Sequence, residues 1–303
     1  MRPRRTAPSR ARLCLLAGTA TIVALLTAGA VDAAPQTPAP VPASSFDTPV
    51  ARAGSATAAR ASSATTIEAT RPTLGELSRK RAVNPSVENE RGLAFEYVAQ
   101  GILDAAFDHF QAALRLDPHD GQSHEGVARI WREWGFPALG LSSAYRAVYW
   151  LPESASAQNT LGTLLLKLDR ADAAASRFER ARQFDPAAAY PLNNLCYLAL
   201  GRGKSAEAVE WCRAAAAADT TSEHVRNNFA LALATSGDLD GALDVLDASP
   251  QTAVAAYNQG VLLLAARQPE RARAALMRAR TSDPTFAPAL RLLTQLTVRR
   301  AGS

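Results

Sequence analysis

The stretch that decides the fold runs from Ala155 to Ala188 and reads ASAQNTLGTLLLKLDRADAAASRFERARQFDPAA. It contains two apolar patterns of helical period separated by a short turn, and Pro186 closes the second pattern. Pro118 and Pro152 close the same pattern upstream, so the three prolines recur at intervals of 34 residues. A fixed period of this length is typical of a solenoid, in which stacked units share a continuous core.

Counting back from these prolines divides the chain into six units, each predicted to be a hairpin of two antiparallel helices. Residues are numbered below by their position within a unit, and the units begin at Val87, Gly121, Ala155, Ala189, Glu223 and Ala253. Glycine occupies position 15 in four units, where a left-handed residue ends the first helix. Proline occupies position 17 in two units, in the first turn of the second helix, where its missing N–H costs nothing. The fifth unit is shorter, and we expect it to lose a turn of its second helix.

These units resemble tetratricopeptide repeats. That family has a small residue at position 8, alanine at 20 and 27, an aromatic residue at 24 and proline at 32. The third unit matches the pattern with Gly162, Ala174, Phe178, Ala181 and Pro186. The fourth unit departs from it, since Cys196, Cys212 and Thr220 replace the small, aromatic and proline residues. The resemblance covers residues 87–286.

The resemblance implies an all-α fold, a superhelix of about six antiparallel helix hairpins that occupies residues 87–303. A further amphipathic segment near 287–299 is predicted to form a capping helix that shields the apolar face of the last hairpin. Residues 34–86 are rich in alanine, proline, serine and threonine, which predicts a disordered linker. A short helix over 73–81 is an open alternative within that linker.

The first 33 residues predict an export signal or an N-terminal membrane anchor. Arginines precede an apolar run from Leu13 to Val31, and small residues follow it. The run is close to the length of about 20 residues that spans a bilayer, so a cleaved signal and an uncleaved anchor both stay open. In either case the repeats are expected in the periplasm or on the extracellular side of the cytoplasmic membrane.

The basic character of the chain does not point to nucleic acid. The net charge is +5, but residues 1–33 carry +4 of it and the repeat region, 87–303, carries about −2. No unit shows the basic stripe that a phosphate backbone requires. We therefore expect no nucleic-acid partner.

Position 5 of the first helix provides the main candidate binding residues. In the family this position faces a concave groove, and here Asn159, Asn193 and Asn227 occupy it in three successive units. They resemble the asparagine ladders of peptide-binding members, because an amide both donates and accepts hydrogen bonds to an extended peptide. Four further side chains are predicted to line the groove beside them: Tyr190, Tyr197, His224 and Tyr257.

One alternative to this ladder follows from the sequence. Asparagine is common in this region, and position 6 carries a second in-phase set that we expect to serve packing.

The second unit concentrates aromatic residues. Trp131 is expected in the core, whereas Trp134 and Trp150 at helix ends either pack or form an exposed contact patch.

Cys196 and Cys212 are predicted to face each other across one hairpin. Export favours oxidation, so a disulfide between them and a pair of small buried thiols are both open. His119 and His124 flank the turn between the first two units, and a solvated turn is expected there instead of a metal site. The sequence contains no motif for a catalytic metal, a phosphate loop or a nucleophile elbow.

These patterns favour a non-catalytic scaffold or adaptor that binds a peptide or protein in its groove, in cell-envelope assembly or secretion. No cofactor and no metal are expected, and membrane contact is expected only through an uncleaved anchor. Two alternatives are a self-assembling structural module, which an exposed Trp134 and Trp150 patch would favour, and an accessory subunit of an enzyme complex.

Overall fold

The structure is a computed structural model that describes residues 73–248 and 252–301, with side chains to Thr297. Within these ranges the chain forms fourteen α-helices and no strand. The helices fall into two compact units, 73–185 and 186–301, which are described separately. The predicted signal or anchor over 1–33 lies outside the described residues, as does the linker up to residue 72.

The helices pair as the sequence predicts. The first compact unit contains α1 (Leu74–Val83), α2 (Val87–Ala99), α3 (Leu103–Leu116), α4 (Gly121–Glu133), α5 (Pro137–Trp150), α6 (Ala155–Lys167) and α7 (Ala171–Phe184). The second contains α8 (Ala189–Gly201), α9 (Ser205–Ala218), α10 (Glu223–Ser236), α11 (Leu239–Asp247), α12 (Ala253–Ala265), α13 (Pro269–Ser282) and α14 (Ala287–Ala301). Six hairpins run from α2–α3 to α12–α13. The nine residues of α11, against fourteen in the other second helices, confirm the shortened fifth unit.

The six hairpin turns share one backbone geometry. In each of them the N–H at position 16 donates to the carbonyl at position 11 over 2.9 Å, the bond that closes a Schellman turn. Position 15 is left-handed in every hairpin, and the four glycines predicted there have φ values from 69° to 100°. Asp169 and Arg267 hold the same position in the other two hairpins, each with φ of 58°.

Polar caps determine where most first helices begin. Five of the six start after a side chain that accepts a hydrogen bond from a backbone N–H three residues later: Ser86, Asp120, Ser154, Ser222 and Thr252. Such a cap satisfies one of the N–H groups that a helix start leaves unpaired. Pro137 and Pro269 begin α5 and α13, as their position 17 predicts.

Small residues and aromatic residues pair in the core of the hairpins. Phe178 of α7 is fully buried, and a Cβ atom on Gly162 of α6 would lie 2.5 Å from its ring. Phe110 of α3 is also fully buried, in the same cluster as Ala94 of α2. The close approach of the paired helices therefore depends on position 8 staying small, as the repeat pattern predicts.

Helix α1 lies within the predicted linker, so the structure differs from that prediction over 74–83 and agrees with the short-helix alternative. Thr73 and Glu76 cap the helix reciprocally, and Leu77 is buried. Arg81 Nε donates to the Glu90 carboxylate of α2 over 2.5 Å. The helix is ordered because one apolar and one polar contact tie it to α2.

Glu90 is a buried carboxylate with two partners. In addition to Arg81, the Nδ1 atom of His109 in α3 lies 2.7 Å from it, and the His109 ring stacks on Tyr97. Burial alone raises the pKa of Glu90, but the hydrogen bonds from Arg81 and His109 outweigh it and hold that pKa below its usual value. The ionised carboxylate joins α1, α2 and α3.

Candidate functional site

Five of the predicted binding residues lie on two first helices of the second compact unit. Helix α8 presents Tyr190, Asn193 and Tyr197 at spacings of three and four residues, so they share one side of the helix. Helix α10, which packs against α8, carries His224 and Asn227 at the equivalent positions. All five are at least partly accessible, and Tyr197 is 37% exposed. We call these five residues the α8–α10 face.

A hydrogen bond between the two helices orients one amide of the α8–α10 face. The Nδ2 atom of Asn228 on α10 donates to Oδ1 of Asn193 on α8 over 2.9 Å. Because its oxygen is engaged, the Asn193 side chain is fixed with its NH2 group as the donor for any other partner. Asn228 holds position 6, where we expected only packing, and here it positions the residue at position 5 of the preceding unit.

Tyr257 does not belong to this face, which corrects the prediction from the sequence. Its side chain is only 4% exposed and packs edge-on against Phe286, with ring centroids 5.6 Å apart. Burial raises the pKa of its hydroxyl. The physical reason is the capping helix α14, which buries Ala289 in the cluster that contains Tyr257.

Asn159 lies on α6, in the first compact unit, and is half-buried. The polar side chains near it follow a different pattern. Glu125 of α4, at the equivalent position 5, accepts hydrogen bonds from Thr160 over 3.0 Å and from Ser156. Arg132 of α4 donates to Thr163 of α6 over 3.1 Å. This side of the first compact unit is charged, whereas the α8–α10 face consists of amides, phenols and one imidazole.

A further in-phase set of polar residues, at position 4, was missed in the sequence. Nε2 of His124 lies 2.9 Å from the carbonyl oxygen of Pro118, and Gln158 and Arg226 donate to the carbonyls six residues before them over 3.0 and 2.8 Å. These side chains brace the turns that precede their helices. This set could have been found in the sequence, because polar residues recur at position 4, which is not one of the positions expected to face the groove.

His124 therefore differs from the expected solvated turn. It is 4% exposed, and burial lowers its pKa. His119 is exposed and packs on Trp150, with ring centroids 4.2 Å apart. No cluster of three or more metal-ligating side chains occurs among the residues that the structure describes.

The tryptophans of the second repeat, which begins at Gly121, differ in whether they are packed or exposed. Trp131 and Trp134 are half-buried against Phe107 of α3, with ring centroids 5.5 and 5.2 Å from it. Trp150, at the end of α5, is 39% exposed, and the adjacent Tyr149 is 73% exposed. Trp134 is therefore packed against its neighbours, whereas Trp150 is exposed.

The structure joins Cys196 of α8 to Cys212 of α9 by a disulfide, with Cα atoms 5.2 Å apart. Both residues are fully buried, in a cluster with Ala199, Ala208 and Leu231. The cross-link occupies positions 8 and 24, where four of the five other hairpins place a small residue against a larger apolar one. It lies in the core below the α8–α10 face and fixes α8 to its hairpin partner.

Comparison with known proteins agrees with this architecture. A family model described as tetratricopeptide repeat matches residues 159–223. This part of the chain is similar to tetratricopeptide repeats. The match includes Asn159 and Asn193 and the hairpin that carries the disulfide. Curated protein sequences give no significant match to the chain.

Solved structures show the same tetratricopeptide repeat fold over most of the chain. A chain of the APC/C hetero-tetramer Cut9–Hcn1 superposes with a TM-score of 0.65 at 17% identity, covering 75% of this chain and 46% of that one. Pseudomonas aeruginosa pilF gives 0.57 at 18% identity, with 71% and 99% covered. A tetratricopeptide repeat protein from Parabacteroides merdae gives 0.56 at 18% identity, with 74% and 91% covered. The chain thus spans less than half of the Cut9–Hcn1 chain, and these likenesses concern the fold.

Repeats of this family form surfaces for protein–protein interaction, and the comparisons give no indication of catalysis. None of the helices in the described ranges is both long enough and apolar enough to cross a membrane.

Proposed function

We propose that this protein is a non-catalytic scaffold that binds an extended peptide segment of a partner protein on its α8–α10 face. The observation that carries the proposal is the Asn228–Asn193 hydrogen bond, because it presents an oriented amide donor beside accessible tyrosines. An extended peptide offers alternating N–H and C=O groups, which asparagine side chains at regular spacing can pair with. The ligand is thus held by its backbone, and its side chains meet Tyr190 and Tyr197.

The composition of the α8–α10 face selects the class of peptide. Its members provide no carboxylate and no lysine or arginine side chain, and its two tyrosines add broad apolar surface with a polar tip. A peptide charge placed there would lose water without gaining an ion pair. The favoured ligand is an uncharged segment with apolar or aromatic side chains.

The cellular role belongs to the same proposal. The pattern of residues 1–33 is typical of an export signal or membrane anchor, and it supports a role in cell-envelope assembly or secretion. The disulfide between Cys196 and Cys212 supports it as well, because such bonds persist in oxidising compartments.

The test uses peptides of about 12 residues, long enough to span several backbone pairs, selected from a random display library on the full chain. Asn193→Asp keeps an oxygen that accepts from Asn228 but removes the NH2 donor, so the fold should stay intact while a ligand hydrogen bond is lost. A double variant, Asn193→Asp with Asn227→Asp, should weaken peptide binding in calorimetry by more than about tenfold, since each bond contributes about 1 kcal/mol. Its melting temperature should equal that of the unchanged chain.

The control is Gln183→Glu, which introduces one negative charge by the same amide-to-carboxylate change on an exposed residue of α7. It should leave peptide affinity unchanged. Selected peptides that bind the double variant as tightly as the original chain would exclude the α8–α10 face as the binding site. Separate measurement of Asn159→Asp determines whether the first compact unit contributes.

A further inference from the structure

Helix α5 carries its large apolar side chains on the side that faces away from the core. Its buried side consists of Gly140, Ala144 and Ala147. The α5 outer face consists of five side chains that are 39 to 73% exposed: Phe136, Leu139, Tyr145, Tyr149 and Trp150. At 100° per residue the four members within the helix span an arc of about 140°, opposite the buried side.

The neighbouring second helices of the same compact unit share this pattern only at position 30, which is exposed and apolar in all three. Positions 25 and 29 hold Tyr145 and Tyr149 in α5, but Gln111 and Arg115 in α3 and Glu179 and Gln183 in α7. The alanine at position 24 of α5, Ala144, shows that the aromatic residue usual in the core is missing from this unit. The packing of its own hairpin does not explain why α5 exposes these large apolar side chains.

The aromatic side chains at the end of α5 hold one another in place. The Trp150 ring packs on His119, with centroids 4.2 Å apart, and Tyr149 packs edge-on against Trp150 at 4.7 Å. Rings that are already fixed lose little conformational entropy when a partner covers them. The α5 outer face is therefore pre-organised for contact.

We propose that the α5 outer face is the surface by which two copies of this chain associate, with their α5 helices packed antiparallel about a twofold axis. Large side chains lie towards both ends of the helix, and Ser142 and Ser143 lie in the middle, where two helices cross most closely. An antiparallel arrangement places Tyr149 and Trp150 of one copy opposite Phe136 and Leu139 of the other. The contact is self-complementary, as a twofold interface must be.

The size and charge of the surface agree with a second copy of the chain. The five side chains expose on the order of 500 Å², and a specific interface buries about 600 to 800 Å² per partner, which the intervening serines and Arg146 would nearly supply. Arg146 is the single charged side chain in the arc, so twofold pairing brings few like charges together. Association is expected in the micromolar range, and it is independent of the α8–α10 face.

Sedimentation equilibrium of the purified full chain from about 1 to about 100 µM tests this proposal. We expect a monomer–dimer equilibrium, and Tyr149→Asp should raise its dissociation constant by more than about tenfold. Gln183→Asp is the matched control, since Gln183 occupies the same position 29 in α7 and is exposed, and it should leave the equilibrium unchanged. A monomer at every concentration, or a dimer that Tyr149→Asp does not weaken, would overturn the proposal.

Cysteine cross-linking provides the geometric test. Ser142 lies near the proposed axis, so Ser142→Cys should form a covalent dimer under mild oxidation. Ser176→Cys, at the same position 22 of α7 and also exposed, should not. Equal cross-linking of both variants would contradict the antiparallel contact. Flotation of the monomer with phosphatidylglycerol vesicles, lost in Tyr149→Asp, would assign the face to lipid and refute self-association.

Discussion

At the scale of single residues, position 15 of each repeat determines the turn between its two helices. Four repeats place glycine there, whereas Asp169 and Arg267 adopt the left-handed conformation with a side chain. An L-residue pays about 1 to 2 kcal/mol in this region because its Cβ approaches the following carbonyl. The turn is therefore imposed on these two residues by the hydrogen bond from position 16 to position 11 and by the packing of the hairpins.

We predict that Arg267→Gly stabilises the protein by about 0.5 to 1 kcal/mol, because the relief of strain exceeds the added entropy of the unfolded chain. Asp169→Gly should gain less, since aspartate tolerates left-handed angles better than arginine does. Urea unfolding monitored by circular dichroism measures both. The control is Gly203→Ala at the same position of the fourth unit, where φ is 69°, and it should lose about 1 kcal/mol. A loss of stability in Arg267→Gly would show that the turn is not strained.

At the scale of the elements, the hairpin α8–α9 replaces the usual contact between a small and an aromatic residue with a disulfide. Cys196 and Cys212 are both fully buried. In the α2–α3 hairpin the same two positions hold Ala94 and Phe110, which fill the space between the helices by packing alone. The two solutions should be partly interchangeable, because they close the same gap.

We predict that non-reducing peptide mapping of the full chain, purified without reductant, finds Cys196 linked to Cys212. Replacing both by alanine should lower stability by about 3 kcal/mol or more, since it removes the cross-link and leaves a cavity. The combination Cys196→Ala with Cys212→Phe should recover part of that loss, and its melting temperature should not respond to reductant. Free thiols in that preparation, or a double alanine variant as stable as the original, would refute a structural role for the bond.

The repeat period explains why elements were easier to predict than contacts. Turns, caps and the short α11 depend on local residue types in phase, which a single sequence displays directly. Tyr257 could not be placed correctly from its position alone, because α14 buries a side chain that earlier repeats would leave accessible. For Trp150 the sequence left packing and exposure both open, and the structure shows that position 30 is exposed and apolar in α3, α5 and α7 alike, as Leu116 and Phe184 illustrate. The pairing of Asn228 with Asn193 depends on the register between two hairpins, which no local pattern specifies.

At the scale of the whole molecule, two surfaces carry different chemistry. The α8–α10 face offers an oriented amide and two tyrosines, and the α5 outer face offers four aromatic side chains and a leucine. They lie in different compact units, so changes in one should leave the other intact. The peptide-binding variants should thus sediment like the original chain, and Tyr149→Asp should retain peptide affinity.

Photo-cross-linking from Tyr197 tests whether the α8–α10 face binds a peptide. With benzoylphenylalanine at position 197 of the full chain, in cells that produce it, we expect adducts that map to one contiguous, uncharged segment of a partner protein. The same adducts should disappear when Asn193→Asp is added, and benzoylphenylalanine at the exposed position 176 should not form them. Adducts that are scattered along many sequences, or that persist with Asn193→Asp, would contradict binding of an extended peptide on the α8–α10 face.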